Sequence, residues 1–198
     1  MSDPWSIDDL VLQHYTTTFG QASRRWSGEI RGIPMRVLVW DTDRNHEGVF
    51  LYATLGASRR PIGEAGSGHR IELYCGVLPD EPSVADALAL LAAYPGLFTT
   101  ELGHGHTVPY DEPLWTGTDM KHYLVTRPVE PIIEDLALPD DSHVEFLTAI
   151  PVYSDEIAFK QKHGVDDLRA TWRRLGVPFW DPRRPRPNLT DTADRPIR

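Results

Sequence analysis

The segment Val144–Leu168, "VEFLTAIPVYSDEIAFKQKHGVDDL", changes from a strand pattern to a helix pattern within a few residues. β-branched and aromatic residues fill its first half, and Pro151, which has no N–H for a neighbouring strand, indicates that the strand ends there. Ser154 is a typical helix N-cap, two acidic residues follow it, and Gly164 is a typical helix stop. A second helix is predicted to begin near Asp166. The segment therefore predicts a strand followed by two helices, and none of its residues resembles a catalyst.

The rest of the chain carries similar signals. Ser6 and Asp9 form a capping-box pattern that predicts an N-terminal amphipathic helix. The alanine- and leucine-rich run from Ser83 predicts a second helix, which ends at Pro95-Gly96. Strands are predicted in "IRGIPMRVLVW", "VFLYATL", "HRIELYCGVL", "HTV" and "HYLVT". These elements predict an α+β fold, in which helices flank a mixed or antiparallel β-sheet.

Length and composition predict one globular domain. The chain has 198 residues, of which 40% are hydrophobic and 25% are charged. We predict an N-terminal helix and lead-in over residues 1–27, a single domain over 28–180, and a flexible Pro/Arg-rich tail over 181–198. The tail has few large apolar residues, so it is predicted to bury too little surface to order itself.

Charge and cysteine content narrow the class of function. A net charge of -9 disfavours binding to the phosphate backbone of nucleic acids. The single cysteine, Cys75, cannot form an internal disulfide, and no apolar run approaches the ~20 residues that span a bilayer. We therefore expect a cytoplasmic protein with no nucleic-acid or membrane partner and no cofactor. The oligomeric state is not indicated by the sequence.

Three histidines are the candidates for chemistry. His104 and His106 are two residues apart in "GHGHT", so a strand would point both to one face, and His122 is predicted on a nearby strand. Three imidazoles could hold zinc or iron, which would make the protein a small metal-dependent or hydrolytic enzyme. No carboxylate is placed to orient the rings, and the favoured interpretation is histidines bonded to backbone.

An acidic pair beside aromatic residues is the candidate for protein contact. In "YDEPLW", Asp111 and Glu112 lie between Tyr110 and Trp115. Aromatic side chains are common anchors in protein interfaces, and acidic groups attract basic partners over long range. We predict that this loop is exposed and meets a basic partner.

A series of segments in order resembles the Suppressor of fused domain family. The segments are "ATLGAS", "HRIELYCGVLP", "ALALLAAYP", "GHGHTVPYDEP", "HYLVTRP", "VEFLTAIPVYSDEIAF" with "HGVDDL", and "DPRR", which together run from about Gly48 to Arg184. The resemblance implies an α+β fold without known catalytic residues. It also implies protein binding, since animal members grip a short peptide of Hedgehog-pathway transcription factors as an added strand between two lobes, and this chain resembles the N-terminal lobe.

Short bacterial members of the family have been proposed as immunity proteins that neutralise polymorphic toxins. Arg59 and Arg60 follow "LGAS", where the family often has an acidic residue, and the loop after this motif contacts the peptide in animal members. Because of this departure, the exact mode of recognition in the animal proteins is not carried over to this chain. Arg59 and Arg60 remain candidate binding residues. The resemblance implies a non-catalytic, intracellular protein-binding module, with immunity to a basic toxin domain as the expected role. The histidine-based enzyme is the alternative.

Overall fold

The computed structural model describes residues 6–62, 68–98 and 100–189. Within these ranges the helices are α1 (Ile7–Phe19), α2 (Val84–Phe98), α3 (Ser154–His163) and α4 (Val165–Leu175). The strands are β1 (Arg24–Ile30), β2 (Ile33–Trp40), β3 (Phe50–Leu55), β4 (His69–Val77), β5 (Thr107–Pro109), β6 (His122–Thr126), β7 (Leu136–Ala137) and β8 (His143–Val152). No helix in this described part is long and apolar enough to cross a membrane.

The strands form one mixed sheet. Their spatial order is β1-β2-β3-β4-β8-β6-β5, and the short β7 pairs with β8 beside this path. β4 and β8 run parallel, with His69 opposite His143, and the other pairs are antiparallel. This sheet with its flanking helices confirms the predicted α+β fold.

Both faces of the sheet are covered. Alternate residues of β2 point to opposite layers: Val37 packs with Leu88 of α2, whereas Leu38 packs with Tyr15 of α1. A third apolar cluster joins α3 and α4 to the ends of β6 and β8, and it includes Trp172. Burial on two sides explains why several strands read as almost continuous apolar runs.

Two element ends differ from the sequence prediction. α2 continues through Pro95 to Phe98, two residues beyond the predicted stop. β8 continues past Pro151 to Val152. The pairing of β8 with β4 stops at Thr148, so Pro151 is paired only with β6. On the β4 side no strand of the described residues lies at this position, and the missing N–H of Pro151 therefore breaks no hydrogen bond there.

The start of α3 is also one residue away from the prediction. Tyr153 is the N-cap residue, and its backbone N–H donates to Glu156 Oε2 at 2.8 Å. Ser154 is the first helical residue, and its Oγ lies 2.9 Å from His122 Nε2. The predicted stop at Gly164 is confirmed, with its N–H bonded to the Lys160 carbonyl at 2.8 Å. The capping box of α1, formed by Ser6 and Asp9, is confirmed as well.

Residues 181–189 pack against the domain, so the prediction that this part of the tail orders little is wrong. Arg184 is 1% exposed and Leu189 is 9% exposed. An ion pair of 2.6 Å between Arg184 and Glu156 holds the segment to the domain. The prediction considered only the apolar residues of the tail and therefore missed this polar contact. The predicted boundary at residues 27 and 28 falls inside β1. Residues 1–5 of the lead-in and 190–198 of the tail lie outside the described residues.

Candidate functional site

A groove of about 570 Å³ opens beside the start of β2, between the turn that follows β3 and the last turns of α2. We call it the arginine groove. Its lining includes the apolar residues Ile33, Met35, Ile71 and Ala92, the cations Arg59 and Arg60, and one carboxylate, Glu101. An apolar floor with charged groups at its margin is the usual composition of a binding site.

The turn that carries Arg59 requires a glycine. Ala57–Arg59 form a single 3₁₀ turn, and Gly56 before it has a φ of 122°, which L side chains rarely adopt. A Cβ on Gly56 would also lie 3.0 Å from Arg59 Cζ. The arginine side chain therefore lies directly over the glycine backbone.

A buried carboxylate, Glu72 on β4, holds this turn. Its Oε1 accepts the N–H of Gly56 at 2.9 Å, the N–H of Ser58 at 3.1 Å and the Ser58 hydroxyl at 2.7 Å. Its Oε2 accepts the Thr54 hydroxyl at 2.5 Å. Burial raises the pKa of Glu72, although these hydrogen bonds act in the opposite direction. Glu72 lies in the predicted strand "HRIELYCGVL", and this role was not predicted from the sequence.

The guanidinium of Arg59 is bound within the protein. Its Nε donates to Asp8 Oδ1 at 2.9 Å and its Nη2 to Asp8 Oδ2 at 2.6 Å, so the two groups form a bidentate pair. Nη1 donates to the Pro34 carbonyl at 2.5 Å, and Arg36 also bonds Asp8. Burial favours a higher pKa for Asp8, but Arg59 and Arg36 outweigh it and lower the pKa. Arg59 thus shapes the groove and joins α1 to it.

Arg60 is the cation that is available to a ligand. It is exposed, and no hydrogen bond or ion pair of its side chain is found among the described residues. The arginine groove therefore combines a preformed wall at Arg59 with a positive charge at Arg60 that no described residue pairs.

The predicted acidic loop differs from expectation in its aromatic residues. Asp111 and Glu112 are exposed, as predicted. Trp115, however, is 5% exposed and donates its Nε1 hydrogen to the Pro182 carbonyl at 2.9 Å, so it is a packing residue rather than a surface anchor. Tyr110 is half-buried, and burial raises its pKa. The loop offers an acidic pair without an exposed tryptophan.

The three candidate histidines bond to different partners. His104 Nδ1 accepts the Arg127 N–H at 3.1 Å, and His106 Nδ1 accepts the Gly103 N–H at 3.1 Å. His122 contacts Ser154, and burial, helped by Lys121, lowers its pKa. Over residues 6–62, 68–98 and 100–189, no three His, Cys, Asp or Glu side chains come together in a way that could hold a metal ion. The metal centre of the alternative enzyme hypothesis is therefore not assembled here.

Comparisons with known proteins converge on one family. The model of Suppressor of fused protein (SUFU) matches residues 31–185. A putative SUFU homologue from Neisseria gonorrhoeae FA 1090 is similar in structure, with a TM-score of 0.67 and 20% identity over 90% of this chain and 95% of that chain. A chain of a Sufu–Fu complex has a TM-score of 0.61 and 17% identity over 85% of this chain and 82% of that chain.

Drosophila Suppressor of Fused is a further structural neighbour. Its TM-score is 0.59 and its identity is 16%, over 85% of this chain and 46% of the fly chain. No curated protein matches the sequence. Sequence identities this low establish only a shared fold. The family model, however, matches most of the chain, and the matched residues include the turn of Arg59 and the buried Arg184. The chain therefore belongs to the Suppressor of fused family.

Proposed function

We propose that this chain is a non-catalytic protein-binding module that takes an extended segment of its partner in the arginine groove. The observation that carries this proposal is the preformed wall of the groove, which Glu72 and Asp8 hold through the turn at Ala57–Arg59. A site that is already ordered binds with less loss of conformational entropy. One similar solved chain comes from a Sufu–Fu complex, which supports binding to a protein.

The lining of the groove specifies the chemistry of the segment. Ile33 and Pro95, which are partly exposed, offer apolar surface to one side chain. Arg60, which has no side-chain partner among the described residues, offers a guanidinium to a carboxylate nearby. A charge-assisted hydrogen bond to a guanidinium is stronger than a neutral one. The expected ligand is therefore an extended peptide with an apolar residue close to an acidic residue.

We further propose that the partner is a toxin domain and that the chain is its immunity protein, acting in the cytoplasm. The resemblance to short bacterial family members supports this role. The net charge of -9 and the exposed pair Asp111 and Glu112 would accelerate encounter with a basic toxin surface. In this proposal the acidic loop steers the toxin and the arginine groove holds it.

Selection from a phage-displayed random peptide library tests the groove. We expect enriched peptides that pair an apolar with an acidic residue, and we expect R60E to lose at least about tenfold in affinity because the favourable charge is reversed. R173E, at an exposed site on α4 away from the groove, makes the same change of charge and serves as the matched control. Failure to enrich peptides, or equal affinity for wild type and R60E, would refute the groove.

Co-expression tests the toxin role separately. The chain is produced in a host together with the protein encoded directly upstream of it, and growth is measured. Rescue of growth by the wild type and R173E but not by R60E supports immunity through the groove. An upstream protein that is harmless, or that remains toxic beside the wild type, rejects immunity while leaving peptide binding to be judged by the display experiment.

A further inference from the structure

β1 is the last strand at one side of the sheet. It pairs with β2 through all seven of its residues, and no strand of the described part lies on its other side. Such an edge presents backbone N–H and C=O groups in a row and is a template for another strand. The described lining of the arginine groove contains no β1 residue, although the groove residues 33–35 of β2 pair with residues 28–30 of β1.

Six of the seven residues of β1 divide into two sets, and the first residue, Arg24, is exposed and forms an ion pair with Asp80. Trp26, Gly28 and Ile30 are partly buried, and the first and last of these pack against the layer of α2. Arg25, Ser27 and Glu29 alternate with them and are exposed. No side-chain hydrogen bond or ion pair of these three is found within residues 6–62, 68–98 and 100–189. The outer set therefore carries one positive and one negative charge, spaced evenly about Ser27, with no partner for either.

We propose that β1 pairs antiparallel with β1 of a second copy of this chain, about a two-fold axis at Ser27. In this register Arg25 of each copy lies opposite Glu29 of the other, and the register uses all seven residues. Opposite charges directly across two antiparallel strands stabilise the pair. The dimer would join two eight-stranded sheets into one continuous sheet.

The charge pattern distinguishes this register from its neighbours. A two-fold axis perpendicular to the sheet keeps each residue on its own face, so it must pass through a residue rather than between two residues. An axis at Arg25 or Glu29 would place like charges opposite each other. An axis at Trp26 or Gly28 would place both charges opposite uncharged residues or beyond the strand, and it would shorten the pairing.

The inner set of residues is compatible with the same register. Trp26 lies opposite Gly28 of the other copy, and within one copy the indole already covers Gly28, where an added Cβ would lie 2.6 Å from Trp26 Cη2. An aromatic ring over a glycine fills the space that the missing side chain leaves at a sheet edge. The self-complementary order of charged and aromatic residues favours a second copy over an unrelated strand.

Analytical ultracentrifugation of the wild type, R25E, E29R and R25E/E29R tests the proposal. R25E and E29R each place like charges at both cross-strand positions, and we expect either change to raise the dimer dissociation constant about tenfold or more. R25E/E29R restores opposite charges and should return the constant to the wild-type range. R173E, which alters charge at a distant exposed site on α4, should leave it unchanged.

Mixing the two single variants gives a second readout that does not depend on the wild-type affinity. A mixed dimer of R25E with E29R has opposite charges at both positions, so native mass spectrometry should detect the mixed dimer in excess over both homodimers. A wild type that stays monomeric at every concentration, or a dimer that is indifferent to the single reversals, overturns the proposal. Loss of partner binding in R25E with a monomeric wild type would instead assign the edge to the partner and would also overturn it.

Discussion

Two glutamates, Glu72 and Glu156, have no exposed surface, but they are stabilised in different ways. Glu72 accepts hydrogen bonds from four neutral donors, all of which lie on Thr54, Gly56 and Ser58. Glu156 forms an ion pair with Arg184, and its Oε1 accepts the indole hydrogen of Trp172 at 2.6 Å. The first carboxylate holds a local turn, and the second joins distant parts of the chain.

The two glutamates differ in what remains in the core when the carboxylate loses its charge. Neutralising Glu72 leaves no unpaired cation. Neutralising Glu156 leaves a fully buried guanidinium, whose remaining neighbours include the rings of Tyr153 and Trp172 at 5.2 and 5.8 Å from Arg184 Cζ. Breaking a buried ion pair is more destabilising than its net contribution suggests, because the remaining charge stays without water.

The largest effect is expected from the ion pair. R184M or E156Q alone should lower the free energy of unfolding by about 3–5 kcal/mol, since each leaves one member of the pair buried without its partner. R184M/E156Q should lose clearly less than the sum of the two. Urea denaturation measures all four proteins, and additive losses would show that the ion pair has no role of its own.

An intermediate effect is expected at Glu72. E72Q should cost about 1–3 kcal/mol, because an amide nitrogen replaces one acceptor and leaves a donor of the turn unsatisfied. A loss as large as that of E156Q would contradict the distinction between the two carboxylates. The same urea measurements decide this point.

The pH dependence of stability gives a second test of the role of Glu72. Burial raises the pKa of Glu72 in the folded protein above its ordinary value of 4.5. The stability that protonated Glu72 contributes is thus fully present below pH 4.5 and is lost as the pH rises through the folded pKa. The difference in unfolding free energy between wild type and E72Q should shrink as the pH rises over this window.

A smaller effect with the opposite pH sign is expected at Asp8. D8N removes a partly exposed pair with Arg59 and should cost about 1 kcal/mol or less. Because the folded pKa of Asp8 is lowered from 3.8, its contribution is present above pH 3.8 and is lost as the pH falls through the folded pKa. D111N, in the exposed acidic loop, is the control. A D8N deficit that persists at the acidic end of the titration would contradict the pairing.

The smallest effect is expected at Ser154. S154A should change stability by less than about 0.5 kcal/mol, because the Glu156 carboxylate accepts the N–H of the N-cap residue Tyr153 and, among the described residues, the Ser154 hydroxyl bonds only to the partly exposed His122. Thermal unfolding compared with the wild type measures this. A loss of about 1 kcal/mol would instead support the capping role that the sequence predicted.

Local patterns allowed much of the fold to be predicted from the sequence. The capping box of Ser6 and Asp9, the helix stop at Gly164 and the strand predicted in "IRGIPMRVLVW" are all found in the structure. Each depends on residues within a few positions of one another, where backbone geometry and side-chain period are sufficient. The order of short motifs was enough to indicate the family.

Contacts between distant residues were decided only by the tertiary structure. Trp115 lies in the core on the α2 side of the sheet and bonds to the carbonyl of Pro182, which is 67 residues later in the chain. Arg184 is held by Glu156, which is 28 residues earlier. The open edge at β1 likewise depends on the order of strands in the sheet. Burial of a polar or aromatic side chain depends on what packs over it, and no local periodicity encodes a neighbour that arrives from another part of the chain.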